Sequence, residues 1–353
     1  MSRYMNSRYQ AMEAYTPGEQ PRDKQYIKLN TNESPFPPAP AVVAAMNNRE
    51  VEDLRLYSDP TAKGLREKLA ELYGVMPEEI FVANGSDDIL NFAFMAWGSD
   101  GAVFPDITYG FYPVFGELHG IPCREIPLAG DFSLNPLDYH NASALVVIAN
   151  PNAPTGKSIP VAEIRGILET NRDHVVVIDE AYVDFGGESA CPLIREFDNL
   201  LVVRTFSKSR CMAGGRLGYA FGCPGLIADL EKLKYATNPY NVNRLTLLLG
   251  EKTVEAEGYY QEKCGEIIRV REKTALALKE MGFEVLPSRA NFLFICHPSV
   301  SGEKLYRELK NRAILVRHFS KARIREYNRV TIGTDDQMRS FLNAAKEILE
   351  GTP

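Results

Sequence analysis

Ala144-Leu-Val-Val-Ile-Ala149, His174-Val-Val-Val-Ile178 and Leu200-Leu-Val-Val-Arg204 are short aliphatic runs rich in β-branched residues, each followed within a residue by polar side chains. Leu217-Gly-Tyr-Ala-Phe-Gly222 closes the series. The runs are continuous rather than alternating, so each reads as a strand buried on both faces. Segments between them, such as Val161-Ala-Glu-Ile-Arg-Gly-Ile-Leu168, carry apolar residues at helical spacing. Buried strands alternating with helices predict an α/β fold with a mostly parallel sheet between helices. Ligands in such sheets bind beyond the carboxyl ends of the strands. The residues just after the runs are therefore where chemistry is expected.

Working outward, the pattern changes near residue 245. A long helical stretch over about 246–281 leads into shorter strands at Phe292–Cys296, Ile314–Val316 and Asn328–Ile332. A terminal helix begins at Thr334, a residue suited to capping, with acids in its first turn. The chain divides accordingly into an arm over 1–35 packing at the domain junction, a large domain over 36–245 and a small α/β domain over 246–353. A chain of 353 residues suits two domains at roughly 150 residues each.

Hydrophobic content of 45% and charged content of 24% are those of a soluble globular protein. The formal charge of -6 offers no basic face for nucleic acid. No apolar run reaches the roughly 20 residues that span a bilayer, and the first residues lack a signal peptide's apolar core. A cytoplasmic location is expected. The six cysteines form no C-x-x-C pair and read as reduced thiols in or near cores. The five histidines show no metal-ligand spacing, so no metal is expected; His318 reads as a surface or core imidazole.

The chemistry gathers after the strands. Lys208 sits among hydroxyls at Thr205, Ser207 and Ser209, followed by Ala213-Gly-Gly-Arg-Leu-Gly218. A lone lysine there is an ordinary solvated charge. Hydroxyls, glycines and an arginine are what a phosphate needs, and a lysine of lowered pKa can form a Schiff base. Asp179 could cap a helix, or pair with a protonated pyridine nitrogen and make that ring an electron sink. Tyr182 could reach a ring oxygen, while Glu180 has no evident role. Asn150-Pro-Asn-Ala-Pro-Thr-Gly156 is a rigid turn whose Asn152 could donate to a ligand oxygen. Gly85 and Ser86 open a helix whose N-terminal N–H groups suit an anion, unless Ser86 is simply its cap. Tyr109 could stack on a planar ring.

Together, Asn84-Gly-Ser-Asp87, Tyr109, the 150–156 turn, Asp179-Glu-Ala-Tyr182, Thr205-Phe-Ser-Lys208 and Arg216 resemble the fold-type I pyridoxal-phosphate-dependent aminotransferases. Leu29-Asn-Thr-Asn-Glu-Ser-Pro35, Leu56-Tyr-Ser-Asp-Pro60, Pro239-Tyr-Asn-Val-Asn243 and Tyr327-Asn-Arg-Val-Thr-Ile-Gly333 resemble the histidinol-phosphate aminotransferase branch. The resemblance runs from about residue 28 to the C-terminus. It implies a large cofactor domain with a mostly parallel sheet, plus a smaller C-terminal α/β domain. It implies pyridoxal 5'-phosphate held as a Schiff base on Lys208, which also shuttles a proton. Asp179 would hold the pyridine nitrogen, Asn152 and Tyr182 the ring hydroxyl oxygen, and Tyr109 would stack on the ring. Gly85, Ser86, Asp87, Thr205, Ser207 and Arg216 would surround the phosphate, Ser86 and Asp87 through backbone N–H groups. Tyr57 would reach the phosphate in a partner subunit, implying a homodimer with shared active sites. Asn32, Arg317 and Arg329 would bind substrate; the neighbouring Arg323 and Arg325 could share that duty or form a solvated basic loop.

The implied activity is transamination between histidinol phosphate and 2-oxoglutarate in histidine biosynthesis, with a small-molecule amino donor and a 2-oxo acid as the partners. An aromatic or broad-specificity aminotransferase, a threonine-phosphate decarboxylase and a non-catalytic binding protein are the alternatives. Lys208, Asp179 and Arg216 together speak against the last. The sequence departs from the family pattern at Ala153, where Asn is common, at Asp88, where Glu is frequent, and at Ser209-Arg-Cys211, which is usually more apolar.

Overall fold

The computed structural model describes residues 2–10 and 12–351. In chain order its strands are β1 (Ile27–Lys28), β2 (Ile80–Ala83), β3 (Ala102–Pro105), β4 (Cys123–Ile126), β5 (Leu145–Ala149), β6 (Val176–Asp179) and β7 (Leu200–Thr205). Then follow β8 (Gly218–Gly222), β9 (Glu284–Val285), β10 (Phe292–Cys296), β11 (Ile314–Leu315), β12 (Arg317–His318) and β13 (Asn328–Thr331). The large sheet runs β2-β8-β7-β6-β5-β3-β4. From β4 to β7 every pairing is parallel, as the aliphatic runs predict. Alternate residues of β5 serve opposite faces: Val146 and Ile148 enter one buried cluster, Leu145 and Val147 another. Both faces are covered, which is why the strand is apolar throughout.

β8 is antiparallel to β7 and β2. Its connection from β7 holds a single 3₁₀ turn, Ala213–Gly215, and no α-helix of the kind that usually carries a parallel crossover. Gly218, the first residue of β8, therefore lies at the edge where β7 ends, opposite Thr205 and Ala83. In register across that edge stand Ala149, Asp179 and Val203. The reversal thus brings the 84–87 and 205–218 segments to one place.

A smaller antiparallel sheet, β12-β13-β10-β9, packs with helices Glu257–Glu280, Gly302–Asn311 and Asp335–Glu350 around its own core. β1 pairs in parallel with β11, stitching the N-terminal segment to this unit. Thr334 caps the last helix in a reciprocal capping box with Gln337. The stretch expected as one helix over 246–281 is two, Arg244–Glu255 and Glu257–Glu280, joined at Ala256 with φ -96° and ψ 26°. Gly258 stands two residues past that break.

Upstream, Tyr15 stacks on Phe111 with ring centroids 4.2 Å apart. The Thr16 and Pro17 carbonyls accept from Arg317 at 3.2 and 3.3 Å, and Glu19 engages Tyr306 and Lys310. This arm thus touches the large unit at one end and the small unit at the other. The six cysteines are free, with Cys191 and Cys264 buried but Cys123 exposed. No helix among the described residues is long and apolar enough to cross a membrane.

Candidate active site

Beyond the ends of β6 and β7 lies a cavity of about 460 Å³ whose wall includes Ser86, Asp87, Tyr109, Asp179, Tyr182, Thr205, Ser207, Lys208 and Arg216. A smaller pocket of about 140 Å³ shares Thr31, Tyr109, Ala153, Tyr182 and Lys208 with it and adds Asn32, Arg317 and Arg329. Lys208 stands where the two meet.

The Lys208 ammonium donates to the Thr31 carbonyl at 3.2 Å and lies 5.8 Å from the Tyr182 ring centre. Burial lowers its pKa to about 8, helped by the Arg329 and Arg216 charges and opposed by Asp87 and Glu33. A buried amine without a direct carboxylate partner is poised to lose its proton.

Asp179 is buried at the end of β6. Its carboxylate accepts from the Tyr112 hydroxyl at 2.9 Å and the Ala181 N–H at 3.1 Å. Burial raises its pKa to about 6, and those two donors oppose the rise. A carboxylate in this position gains most from a cationic N–H partner. Tyr112 is a contact that the sequence reading passed over, although it lies one helical turn beyond Tyr109.

At the far end, Gly85 (φ +88°) begins the helix Ser86–Trp97, and no side chain caps it. Ser86 is thus the first helical residue rather than the cap. The helix presents its free N–H groups beside Thr205, Ser207 and Arg216, the donor set of an anion cradle. Arg216 pairs with Asp87 at 2.9 Å and reaches the Ser207 hydroxyl at 3.4 Å; Tyr109 donates to the other Asp87 oxygen at 2.7 Å. A Cβ at Gly218 would stand 2.4 Å from the Ser86 nitrogen, so only glycine lets β8 approach this closely. Asp88, short of the usual Glu, is met by the Asn241 amide at 2.7 Å.

In the smaller pocket Asn32 (φ +57°) is tied to Thr331 at both its N–H and its Oδ1, each at 3.0 Å, and donates to the Tyr182 hydroxyl at 2.9 Å. Arg317 and Arg329 face each other as cross-strand neighbours on β12 and β13. Among the described residues neither has a carboxylate within 4.0 Å; Arg329 donates to the Asn30 carbonyl at 3.1 Å, and its Nε is buried without a partner. Burial lowers the Arg329 pKa, an effect opposed by Tyr182 and Tyr15. Tyr15, which the sequence reading did not single out, lies in this pocket with both arginines.

Three expected residues stand differently. Asn152 lines the adjoining cavity, where its amide donates to the Ile107 carbonyl at 3.0 Å and the Thr155 hydroxyl at 2.9 Å. Tyr57 lies outside both pockets, 80% exposed and stacked on Tyr240 at 4.5 Å. Arg323 is not a solvated charge: it crosses to Asp106 at 2.8 Å and to the Leu128 and Ala129 carbonyls, each at 2.9 Å, because its loop folds against the large unit. Arg325 does stay exposed, beside Glu326.

Behind the lysine runs a chain of buried charge. Glu180 pairs with Arg204 at 3.0 Å, Arg204 with Asp184 at 3.2 Å, and Arg210 links Asp184 at 3.9 Å to Glu257 at 3.0 Å. The Ser209 hydroxyl donates to Asp184 at 2.5 Å. Glu180, Ser209 and Arg210 thus acquire a place as the backing of the Lys208 loop, and the Cys211 thiol reaches the Ser34 hydroxyl at 3.1 Å.

Set beside known proteins, this arrangement has a defined class. Residues 24–344 match the family of class I and II aminotransferases, and the chain belongs to that family. It is 46% identical, over 99% of its length and 100% of the relative's, to a histidinol-phosphate aminotransferase from Brachyspira hyodysenteriae. It is 47% identical, again over 99% of its own length and 100% of the relative's, to one from Marinomonas. Among solved structures, a histidinol-phosphate aminotransferase from Sinorhizobium meliloti in complex with pyridoxal-5'-phosphate shares the fold, with a TM-score of 0.85, 24% identity and coverage of 94% of this chain and 93% of that one.

Proposed function

We propose that the chain is a pyridoxal-phosphate-dependent aminotransferase moving an amino group between histidinol phosphate and 2-oxoglutarate, working in the cytoplasm as a homodimer. The observation that carries the substrate reading is the pair Arg317 and Arg329. Two guanidinium groups that have no carboxylate partner among the described residues line, together with Lys208, a pocket of about 140 Å³. Such a pair suits the phosphate of an amino donor and a carboxylate of the returning oxo acid.

The residues present fit the cofactor. A Cβ at Gly85 would stand 2.7 Å from Arg216 Nη2, so glycine keeps the anion cradle open. When bound, pyridoxal phosphate supplies a carbonyl carbon that forms imines with amines and a pyridinium ring that withdraws electrons. Lys208 would hold it through Nζ and, once released, carry the proton to and from the substrate carbon. Asp179 would keep the ring nitrogen protonated, its own geometry fixed by Tyr112 and Ala181. Tyr182, held by Asn32, would present its hydroxyl to the ring oxygen, and Tyr109 would cover the ring face. Asn152 would join them by releasing its contact with Thr155. Tyr57 would serve the partner subunit's site. The exposed Val43, Val51, Leu54 and Leu56, just upstream of it in the chain, support a second copy packing there.

The lysine carries a pH prediction. Cofactor-free protein is expected to capture added pyridoxal phosphate faster as pH rises, with a midpoint near 8, because the neutral amine forms above that value. Stopped-flow absorbance would follow it. A midpoint near 10.5, the ordinary lysine value, would show the amine to be solvated.

The substrate reading is tested by half-reactions without an acceptor. Cofactor-loaded protein is mixed separately with histidinol phosphate, phenylalanine and threonine phosphate, and the cofactor absorbance is followed. Conversion to the amine form of the cofactor by histidinol phosphate alone is expected. Equal conversion by phenylalanine would make the enzyme a broad aromatic one, and carbon dioxide from threonine phosphate would make it a decarboxylase.

A further inference from the structure

The loop that joins the two arginine strands leaves the small unit and docks on the large one. We propose that Asp106 is a positioning residue that sets where Arg317 and Arg329 stand relative to Lys208; this rests on reading those arginines as the anion anchor. β12 and β13 are adjacent antiparallel strands, so residues 319–327 between them form the tip of one hairpin. From that tip Arg323 Nη1 reaches Asp106 Oδ2 at 2.8 Å, while Nη2 donates to the Leu128 and Ala129 carbonyls. Lys321 adds a bond to the Asp106 carbonyl at 2.5 Å and an ion pair with Glu125 at 3.2 Å.

Asp106 is prepared for this contact. It follows β3 directly, its side chain is only 13% exposed, and its Oδ1 accepts from the Leu128 N–H at 2.9 Å. The carboxylate is thus aimed by its own unit, with Oδ2 left for the arginine. Apolar contacts lie alongside: Ile324 is buried with Ile107, Leu128 and Phe294, and Phe132 meets Tyr327 edge-on at 5.3 Å. Tyr109, on the cofactor cavity, lies three residues past Asp106. The clip therefore joins the arginine hairpin to the segment that carries Tyr109. An isolated exposed ion pair would have little force. This guanidinium is forked over a carboxylate and two carbonyls, so losing the carboxylate leaves a partly buried charge unmatched.

The test is the dissociation constant of succinate, a dicarboxylate that cannot react, measured by calorimetry on the cofactor-loaded full-length protein. Asp106→Asn and Arg323→Ala are each expected to weaken succinate about fivefold to tenfold. The double variant should be no weaker than the single ones, because both remove one interaction. Cofactor absorbance and retention should not change, and KM for 2-oxoglutarate should rise with kcat held. A lowered melting temperature with an unchanged succinate constant in either variant would mean a purely structural clip and would overturn the proposal. If Asp106→Asn does not fold, Arg323→Ala and Arg323→Lys carry the test. Arg329→Ala separates the two readings. Loss of succinate binding there with Asp106→Asn unaffected defeats the positioning role alone, whereas unchanged binding in Arg329→Ala defeats the anchor itself.

Discussion

Lys208→Ala is expected to fold normally and to lose the half-reaction with histidinol phosphate by on the order of 10⁴-fold or more, since both the covalent anchor and the proton carrier disappear. The fold should tolerate the change. Among the described residues Nζ has a hydrogen bond only to the Thr31 carbonyl, and burial already disfavours its charge. Thermal unfolding of the cofactor-free variant should therefore lie close to that of the parent, while rapid mixing shows no conversion. A variant that still turned over within tenfold of the parent would move the chemistry to another lysine.

Asp179→Asn should separate activity from stability. The amide oxygen can still accept from the Ala181 N–H, and the amide N–H can donate to the Tyr112 hydroxyl, which turns to accept, but the charge opposite the ring nitrogen is gone. A loss of about 10²- to 10³-fold in the half-reaction follows, the scale for removing one preorganised electrostatic partner. Stability should move the other way in cofactor-free protein. Burial raises the Asp179 pKa in the fold to about 6, above its unfolded value near 3.9. The stabilising contribution of the protonated carboxyl is complete below about pH 3.9 and is lost as pH rises through 6. The neutral amide escapes that loss, so the variant should gain stability relative to the parent as pH rises from about 4 to 8, by about 3 kcal/mol across that window. Melting temperatures across that window would show it. A variant with parental rate would remove Asp179 from the mechanism.

The features that could be read in sequence are those fixed by local chemistry. Aliphatic runs such as Leu145–Ala149 declare strands buried on both faces, because covering by helices leaves no polar alternation. The polar residues after them are where an α/β sheet places ligands, and Asp179, Thr205, Ser207 and Lys208 do gather there. What could not be read depends on contacts between distant segments. The direction of β8 brings Gly218 against Ser86, yet its continuous buried run looks like any parallel strand. The acceptor for Lys208 is a main-chain carbonyl at Thr31, invisible to any side-chain pattern. Tyr112 was in plain view beside Tyr109, but its direction toward Asp179 follows from where the helix Phe111–His119 lies against β6. Arg323 reads as a solvated charge until the loop's partner, more than 200 residues upstream at Asp106, is known. Ser209 and Arg210 read as departures from the family pattern; both bind Asp184 within the buried charge chain.

The central claim is that Lys208 is the residue that holds the cofactor. Protein loaded with pyridoxal phosphate would be reduced with borohydride, digested and mapped by mass spectrometry. The account predicts one reduced, stable adduct, on the peptide carrying Thr205-Phe-Ser-Lys208 and at Lys208 Nζ. An adduct at another lysine, or none in protein whose spectrum shows the cofactor bound, would contradict it.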